Sequence, residues 1–117
     1  MFYRSCDNFR NISDGNFAKI LACGNDMMLV EFKLTKEART PKHSHEHRQL
    51  SYIYFGKVEF IIDGKKSILH AGDSAIIPSN TEHSVIALED STLIDVFAPL
   101  RNDFLKKLLI PEKIINY

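Results

Sequence analysis

The feature that most constrains the fold is a series of short strand-like segments separated by turn residues. Eight segments show apolar alternation or enrichment in aromatic and β-branched residues: FAKILACG, MMLVEFKLT, QLSYIYF, VEFIID, KKSILH, SAIIP, HSVIAL and TLIDVFA. The connections between them are too short for a crossover helix, and Asp63–Gly64 is a strong hairpin signal. The strands must therefore run antiparallel, and we expect an all-β sandwich or closed barrel.

Helical periodicity is confined to the segment that follows the last strand, RNDFLKKLLI. Asn102 or Asp103 can cap its N-terminus, and Pro111 ends it. We therefore predict a short C-terminal helix over about 102–110, packed on the outside of the barrel. The apolar residues that recur on one face of this helix are Phe104, Leu105, Leu108 and Leu109.

Charge and composition argue against two classes of partner. Fifteen basic residues balance fifteen acidic ones, so the chain lacks the positive field that nucleic acids and anionic membranes attract. No apolar run approaches the roughly 20 residues that span a bilayer, and the N-terminus lacks the apolar stretch of a signal peptide. Neither Cys6 nor Cys23 has a CxxC partner, so we expect two reduced thiols in a cytoplasmic protein.

Histidines are concentrated in one short stretch, PKHSHEHRQL. Residues two apart on a strand share a face, so His43, His45, His47 and Gln49 would point the same way along a single strand. Neutral imidazole binds several transition metals, and the amide oxygen of Gln49 is a weaker, neutral ligand. A His-x-His pair alone also occurs by chance in surface loops, so the spacing indicates a metal site only if its surroundings fit.

A further histidine follows a turn in the segment GDSAIIPSNTEHSV. Pro78 and the Ser79–Asn80 turn place His83 at the start of the next predicted strand, from which it can point into the same cavity. Asn80 tolerates positive φ better than most residues, so it can replace a turn glycine.

Together these residues resemble the two signature motifs of the cupin superfamily of small antiparallel β-barrels. The first motif is His-x-His, three or four residues, Glu, six residues and Gly; here it runs from His43 to Gly56, with Gln49 in place of Glu. The second is Gly, five residues, Pro-x-Gly, two residues and His; here it runs from Gly72 to His83.

This resemblance implies the fold and the metal site. It implies one cupin domain over residues 1–117, a jelly-roll (double-stranded β-helix) barrel with its core at about 28–99. It also implies one divalent transition metal (zinc, nickel, iron or manganese). The implied metal ligands are His43, His45, Gln49 and His83.

The segment STLIDVFAPLRNDFL looks like the closing segment of small bacterial cupins from pectin and alginate breakdown, which linearise 4,5-unsaturated uronates to open-chain keto sugars. The matching residues are Asp95, Phe97, Pro99, Arg101 and Asp103–Leu105. One departure is that several of those proteins have four residues between the second His and the Gln, whereas this chain has three. The resemblance implies a metal-dependent enzyme acting on a small anionic sugar acid.

The resemblance also suggests roles for individual residues. Arg101 would bind the substrate carboxylate, Asp95 would shuttle a proton, and Phe97 would form an apolar wall. Gln49 would leave more positive charge on the metal than a Glu ligand, and it could hydrogen-bond the substrate. Two alternatives stay open: Asp95 could be an outward, solvated charge, and Arg101 could merely pair with Asp103.

Other residues near the motifs have plainer interpretations. His47 is expected at the rim, His70 in solvent, and Tyr52 and Tyr54 on the strand face opposite Gln49. Six more residues are expected to pack in the interior: Phe32, Phe55, Phe60, Ile62, Ile76 and Val96.

Two other functions fit the same motifs, an iron or nickel oxygenase or lyase and a non-catalytic module that senses a metal or a sugar acid. We also expect a homodimer, formed through an edge strand such as an N-terminal strand or FAKILACG.

Overall fold

The computed structural model describes residues 2–4 and 8–108, and these residues form ten strands and one helix. The strands are β1 (Arg10–Ser13), β2 (Asn16–Cys23), β3 (Met28–Leu34), β4 (Arg39–His43), β5 (Arg48–Phe55), β6 (Lys57–Ile62), β7 (Lys65–His70), β8 (Ser74–Ile77), β9 (His83–Ala87) and β10 (Ser91–Ala98). The helix α1 is Asn102–Leu108. The eight predicted strands are all present, and β1 and β4 are additional.

The strands form two antiparallel sheets that face each other as a jelly roll. The six-stranded sheet has the order β1-β2-β3-β10-β5-β8, and the four-stranded sheet has the order β4-β9-β6-β7. Within the described residues, no strand pairing joins one sheet to the other. The predicted all-β class is confirmed. The two additional strands lack apolar alternation, and β4 contains Pro41, which a strand at the edge of a sheet tolerates.

The core lies between the two sheets. On β3, Met28, Val30, Phe32 and Leu34 all point inward and are at most 8% exposed, as their alternation predicts. Phe60 on the opposite sheet is also buried, as expected.

Two residues that were expected to pack in the interior lie on the surface. Phe55 is 60% exposed and Ile76 is 70% exposed, so both expectations are wrong. Phe55 follows an irregularity in the pairing of β5 with β10, between Thr92 and Leu93, which interrupts the strict alternation of faces. Ile76 points outward because its neighbour Ile77, which is fully buried, takes the inward position on β8. Ile62 and Val96 are half-buried.

Turn residues adopt the backbone conformations that the motifs require. Asn80 has a φ of 59°, which places it in the left-handed region where the cupin motif ordinarily has glycine. Asp63 and Gly64 have φ angles of 51° and 76°, as in a two-residue hairpin turn between β6 and β7. At Gly56, with a φ of 92°, a Cβ would clash with the backbone of Asp90 and Ser91.

The helix α1 packs one apolar face against an open end of the jelly roll. Phe104 and Leu108 are buried, and the Phe104 ring contacts Phe32 and Phe97 at centroid separations of 5.7 and 5.5 Å. The start of the predicted helix is confirmed, whereas Leu109, Pro111 and Cys6 lie outside the described residues.

Among the described residues, no helix is both long enough and apolar enough to cross a bilayer. The cytoplasmic location stays a prediction.

Candidate metal centre

Three histidines converge at one end of the jelly roll. His43 ends β4 and His83 begins β9, and strand pairing places these two residues opposite each other. His45 lies in the loop between β4 and β5. One ligand atom from each of the three imidazoles lies within 4.8 Å of the other two, a separation that one metal ion can bridge.

Backbone carbonyls fix which nitrogen of each ring faces the centre. Nδ1 of His43, His45 and His83 lies 2.9, 2.9 and 2.8 Å from the carbonyl oxygens of Pro41, His47 and Thr81, respectively. A carbonyl oxygen can only accept, so each Nδ1 carries the proton and each Nε2 keeps a lone pair. Metal-binding histidines are held by this kind of contact.

Gln49 adds a fourth donor atom. Its amide group donates hydrogen bonds from Nε2 to Ser51 Oγ at 3.0 Å and to Asp95 Oδ2 at 2.9 Å. Because both amide protons are used, Oε1 is turned toward the histidines and lies 3.2 Å from His45 Nε2.

The side chains at this centre place several lone-pair atoms where a cation could bind. His45 Nε2 and Gln49 Oε1 are two lone-pair atoms at hydrogen-bond distance, an arrangement that is unfavourable unless a positive charge lies between them. His83 Nε2 is buried and has no hydrogen-bond partner within the described part of the chain. A divalent ion would satisfy all three atoms at once.

Two of the three imidazoles, those of His45 and His83, are held in the neutral form that binds metals. Burial lowers the pKa of His45 to about 4, and the positive charge of Arg101 contributes. Burial also lowers the pKa of His83, while its hydrogen bond to Thr81 opposes the shift. Both rings are therefore unprotonated at neutral pH.

Asp95 lies inside the cavity, so an outward, solvated position is wrong. The residue is 4% exposed, and its Oδ1 has no hydrogen-bond partner within the described residues. Burial raises its pKa to about 7, although hydrogen bonds with Ser51 and Gln49 oppose the rise. Asp95 is thus a buried carboxyl whose surroundings favour the neutral form more than water does.

Arg101 lies beside this carboxyl and stacks on aromatic rings. Its guanidinium carbon lies 5.1 Å from the centre of the Phe97 ring and 4.2 Å from that of Phe104. Two of its nitrogens also donate to the Asp103 carboxylate at 3.0 and 2.7 Å, which is the pairing left open by the sequence. This hydrogen-bonded pair lowers the pKa of Asp103.

These groups line a cavity of about 300 Å³ between the two sheets, with α1 along one side. Its apolar lining includes Phe97, Phe104, Phe32, Phe60 and Leu93. The chemically active side chains that line it are His43, Gln49, His83, Asp95, Arg101, Asp103 and Lys107.

His47 and His70 are not among the converging histidines, and Tyr52 and Tyr54 do not face this centre. His47 does not join the converging ligand atoms, and its Nε2 donates to the carbonyl oxygen of Leu100 at 3.1 Å. His70 is exposed next to Asp73, and Tyr52 and Tyr54 lie on the outer face, as expected.

Sequence reasoning missed Ser51 and Asn16. Ser51 is fully buried and accepts a hydrogen bond from Gln49. Its position two residues after Gln49, on the same strand face, could have indicated this contact. Asn16 is 5% exposed and lines the cavity, and no pattern in the sequence marks it.

The comparisons with known proteins agree with this geometry. The chain is 38% identical over 99 residues to the pectin degradation protein KdgF of Dickeya dadantii, a match that covers 83% of this chain and 90% of that protein. The solved structure of KdgF from Halomonas sp. is 37% identical, with a TM-score of 0.82, covering 85% of this chain and 92% of the other.

A further solved structure, an RmlC-like cupin from Shewanella frigidimarina, is 32% identical, with a TM-score of 0.81 over 83% of this chain and 87% of its own. The Cupin domain family matches residues 30–97, which include all four candidate metal-binding residues. The match confirms the resemblance inferred from the two motifs, and the chain belongs to the cupin family.

Proposed function

We propose that this cupin is a metal-dependent enzyme that opens the ring of a 4,5-unsaturated uronate and yields an open-chain keto sugar acid. One observation carries the proposal: three of the four candidate ligands line one cavity together with the buried Asp95 carboxyl and the Arg101 guanidinium, and His45 converges with them. Similarity to KdgF, a pectin degradation protein, supports a sugar acid as the substrate.

The metal would be held by Nε2 of His43, His45 and His83 together with Oε1 of Gln49. When bound, a divalent ion supplies positive charge that stabilises a carboxylate and a neighbouring developing oxyanion. Zinc, nickel, iron and manganese all suit such a set of ligands, because the amide and imidazole groups do not select among them.

Arg101 is the candidate anchor for the substrate carboxylate. A guanidinium has five N–H donors in a fixed plane, and Asp103 accepts from only two of its nitrogens. Contacts with the Phe97 and Phe104 rings and the two hydrogen bonds to Asp103 restrict the guanidinium, so its remaining donors are already oriented when an anion arrives. Phe97 then offers an apolar surface to the carbon face of the sugar ring.

The reaction is an isomerisation that requires proton transfer but no oxidant or reductant. The substrate is a cyclic enol ether that carries a carboxylate and an anomeric hydroxyl. The anomeric hydroxyl loses its proton as the bond between the anomeric carbon and the ring oxygen breaks. The resulting enol becomes a ketone when C4 gains a proton, so the product has the same atoms as the substrate.

Asp95 is the group in the cavity best placed to carry this proton. Its Oδ2 is fixed by Gln49, and its Oδ1 has no partner within the described residues, so one oxygen is free to exchange a proton. Burial among apolar side chains limits competition from water. Asp95 can therefore deliver the proton to C4 and recover one from the anomeric hydroxyl.

An ultraviolet assay tests the proposal. The conjugated double bond of a 4,5-unsaturated galacturonate, or of its alginate-derived counterpart, absorbs light, and ketonisation removes that absorbance. Protein loaded with each of the four metals in turn is compared with buffer containing the same metal. We expect one or more metals to accelerate the loss of absorbance, and His45→Ala and Asp95→Asn to abolish the acceleration.

Two exposed positions supply matched controls for this assay. His70→Ala and Asp73→Asn remove the same kinds of groups outside the cavity and should leave the rate unchanged. If no metal accelerates the reaction, the proposal is wrong. Full activity in Asp95→Asn would contradict the role given to that carboxyl.

A further inference from the structure

His47 contacts the segment that carries Arg101, although it is not one of the converging ligands. Its Nε2 donates to the carbonyl oxygen of Leu100 at 3.1 Å, across 53 positions of sequence. The last residue pair of the β5–β10 ladder is Arg48 with Ala98, so this contact lies beyond the end of the ladder. The side chain of His47 thus connects the two chain segments at a point where backbone pairing has ended.

The carbonyl that His47 holds belongs to the peptide unit that joins Leu100 to Arg101. The N–H of the same unit, on Arg101, lies 3.3 Å from Sδ of Met28, which accepts a weak hydrogen bond. Met28 is only 2% exposed, so its sulfur lies within the packed core. Because a peptide unit is planar, contacts at both its oxygen and its N–H set the orientation of the whole plane.

The orientation of this plane decides where the side chain of Arg101 begins, because the Cα atom of Arg101 lies in the plane. From there the guanidinium reaches the Asp103 carboxylate and the rings of Phe97 and Phe104. Groups that position a substrate tolerate displacements of only about 1 Å before the rate falls steeply. A rotation of the peptide unit would therefore be felt at the guanidinium.

His47 is itself held in place by the metal-ligand loop. Its carbonyl oxygen accepts a hydrogen bond from Nδ1 of His45 at 2.9 Å, and the two rings meet edge to face at a centroid separation of 5.4 Å. The N–H of Asn80 donates to the carbonyl oxygen of His45 at 2.8 Å, which fixes the same loop from the other side. His47 therefore has a defined position from which its side chain can hold Leu100.

Packing alone does not explain an imidazole at position 47. Nδ1 of His47 is buried and has no hydrogen-bond partner within the described residues. A buried polar atom without a partner destabilises the folded state, and native structures contain few such atoms. A phenylalanine would fill a similar space without this penalty. The property that distinguishes the imidazole here is the N–H that it directs at Leu100.

We propose that His47 is a positioning residue for the carboxylate anchor. It holds the Leu100–Arg101 peptide unit, and thereby the guanidinium, in the orientation that binds the substrate carboxylate. This role rests on the proposed function, because the anchor role of Arg101 is part of it. His47 is not among the described residues that line the cavity. Its loss should therefore weaken binding of the anion and leave the chemical step largely intact.

The test is the affinity of the protein for galacturonate, measured by isothermal titration calorimetry with the metal site saturated with zinc. Galacturonate carries a carboxylate but has no 4,5 double bond, so it binds without reacting. We expect His47→Phe to weaken binding by about 3- to 10-fold, the usual contribution of one hydrogen bond. His47→Gln keeps an N–H donor on a side chain of similar length and should retain the affinity of the wild type.

Two further measurements show whether His47 acts through Arg101. In the Arg101→Lys background, His47→Phe should weaken binding no further, because the planar group that His47 positions is gone. In the ultraviolet assay, His47→Phe should raise KM and change kcat less. His70→Phe is the matched control, because His70 is exposed, and it should behave as the wild type does in both measurements.

Folding of each variant is checked by circular dichroism. His47→Ala, with a smaller side chain that the loop can accommodate, should lose the same affinity as His47→Phe. The melting temperature of His47→Phe should stay close to that of the wild type, because the unpaired Nδ1 is removed together with the hydrogen bond.

Three results would overturn the role given to His47. These are an unchanged affinity in His47→Phe, equal losses in His47→Phe and His47→Gln, and additive losses in the double variant. A wild type that binds no galacturonate contradicts both this role and the anchor role of Arg101. A wild type that binds galacturonate but does not turn over the unsaturated uronate contradicts the proposed function alone.

Discussion

Gln49 Nε2 donates a hydrogen bond to Asp95 Oδ2 at 2.9 Å, which joins a candidate metal ligand directly to the buried carboxyl. The second amide proton goes to Ser51 Oγ. One side chain thereby orients an oxygen toward the histidines and a donor toward the acid. A glutamate, the usual residue of the cupin motif, has no N–H donor with which to do both.

Gln49→Glu should have opposite effects on metal affinity and on kcat. The new carboxylate would bind a divalent ion more strongly, so metal affinity should rise. It would also face Asp95 without a donor between them, and we expect kcat to fall by roughly 100-fold, the lower range for losing a well-placed acid. Metal competition titration and the ultraviolet assay measure the two effects.

Ser51→Ala is the comparison for that substitution, because it removes hydrogen bonds to Gln49 and Asp95 without adding charge between them. Ser51→Ala should lower kcat far less than Gln49→Glu does. An unchanged kcat in Gln49→Glu would show that the amide donor is not needed.

Arg101→Lys should raise KM for the anionic substrate by roughly 10-fold or more while changing kcat less. A lysine is a point charge that can neither bind a carboxylate through two parallel donors nor reproduce the contacts of the planar guanidinium with Phe97 and Phe104. Arg48→Lys, at an exposed position on β5, supplies the control. Equal KM values for Arg101→Lys and wild type would argue against Arg101 as the carboxylate anchor.

His83→Ala should weaken metal binding by at least roughly 100-fold, more than the 10- to 100-fold cost of losing a residue that only supports a ligand. The reason is that His83 Nε2 is one of the converging ligand atoms. Isothermal titration with zinc or nickel gives the affinity directly. His70→Ala should match the wild type; a similar loss in both variants would contradict the assignment.

Ile53→Ala should lower the free energy of unfolding by about 2–5 kcal/mol, because Ile53 is fully buried and its truncation leaves a cavity. Ile68→Ala removes the same atoms from a side chain that is 47% exposed, so we expect a change below about 0.5 kcal/mol. Urea unfolding of both variants measures the difference. Equal losses would show that the core does not lie between the sheets.

The Arg101–Asp103 pair gives a pH-dependent contribution to stability. Asp103 has a lowered pKa in the folded protein, so the folded state holds fewer protons on it than the unfolded state does. Its contribution is fully present above the unfolded pKa of about 3.9 and is lost as pH falls through the lower folded value. The melting temperature should therefore exceed that of Asp103→Asn at pH 6, and the difference should shrink as pH falls below the unfolded pKa of about 3.9.

Asp73→Asn is the comparison for that experiment, because Asp73 is also half-exposed but has no arginine partner in the described contacts. If the melting temperatures of the wild type and of Asp103→Asn change in parallel across the whole pH range, the Arg101–Asp103 pair makes no pH-dependent contribution to stability.

The sheet core and the convergence of the candidate metal-binding histidines could be predicted because they depend on local patterns. The alternation of Met28, Val30, Phe32 and Leu34 directly predicts which face is buried. The Pro78–Asn80 turn is likewise local, and its left-handed residue places His83 at the start of β9.

The prediction that one strand carries all four polar residues of the first motif is wrong. The chain leaves β4 after His43 and enters β5 at Arg48, so the intervening residues form a loop between the two sheets. His45 reaches the centre from this loop, and His47 turns toward Leu100. Strand parity could not predict either position, because it applies only while the backbone stays extended.

The exposed positions of Phe55 and Ile76 were also beyond prediction from the sequence. Their apolar character shows that they avoid water, but not whether the covering surface belongs to the same chain. The pairing irregularity in β5 and the identity of β8 as an edge strand depend on contacts between distant segments. The hydrogen bond between Gln49 and Asp95 likewise joins residues that are 46 positions apart.

The candidate ligands come from both sheets, so metal binding would affect how firmly the two sheets are held together. His43 and His83 belong to the four-stranded sheet, whereas Gln49 belongs to the six-stranded one, and in the described residues no backbone ladder bridges the two. An ion bound by these residues would therefore cross-link one sheet to the other. At a free-ion concentration 100 times its Kd, it would add about 2.7 kcal/mol to the folded state. Depletion of the ion would then remove this connection and weaken the attachment of one sheet to the other.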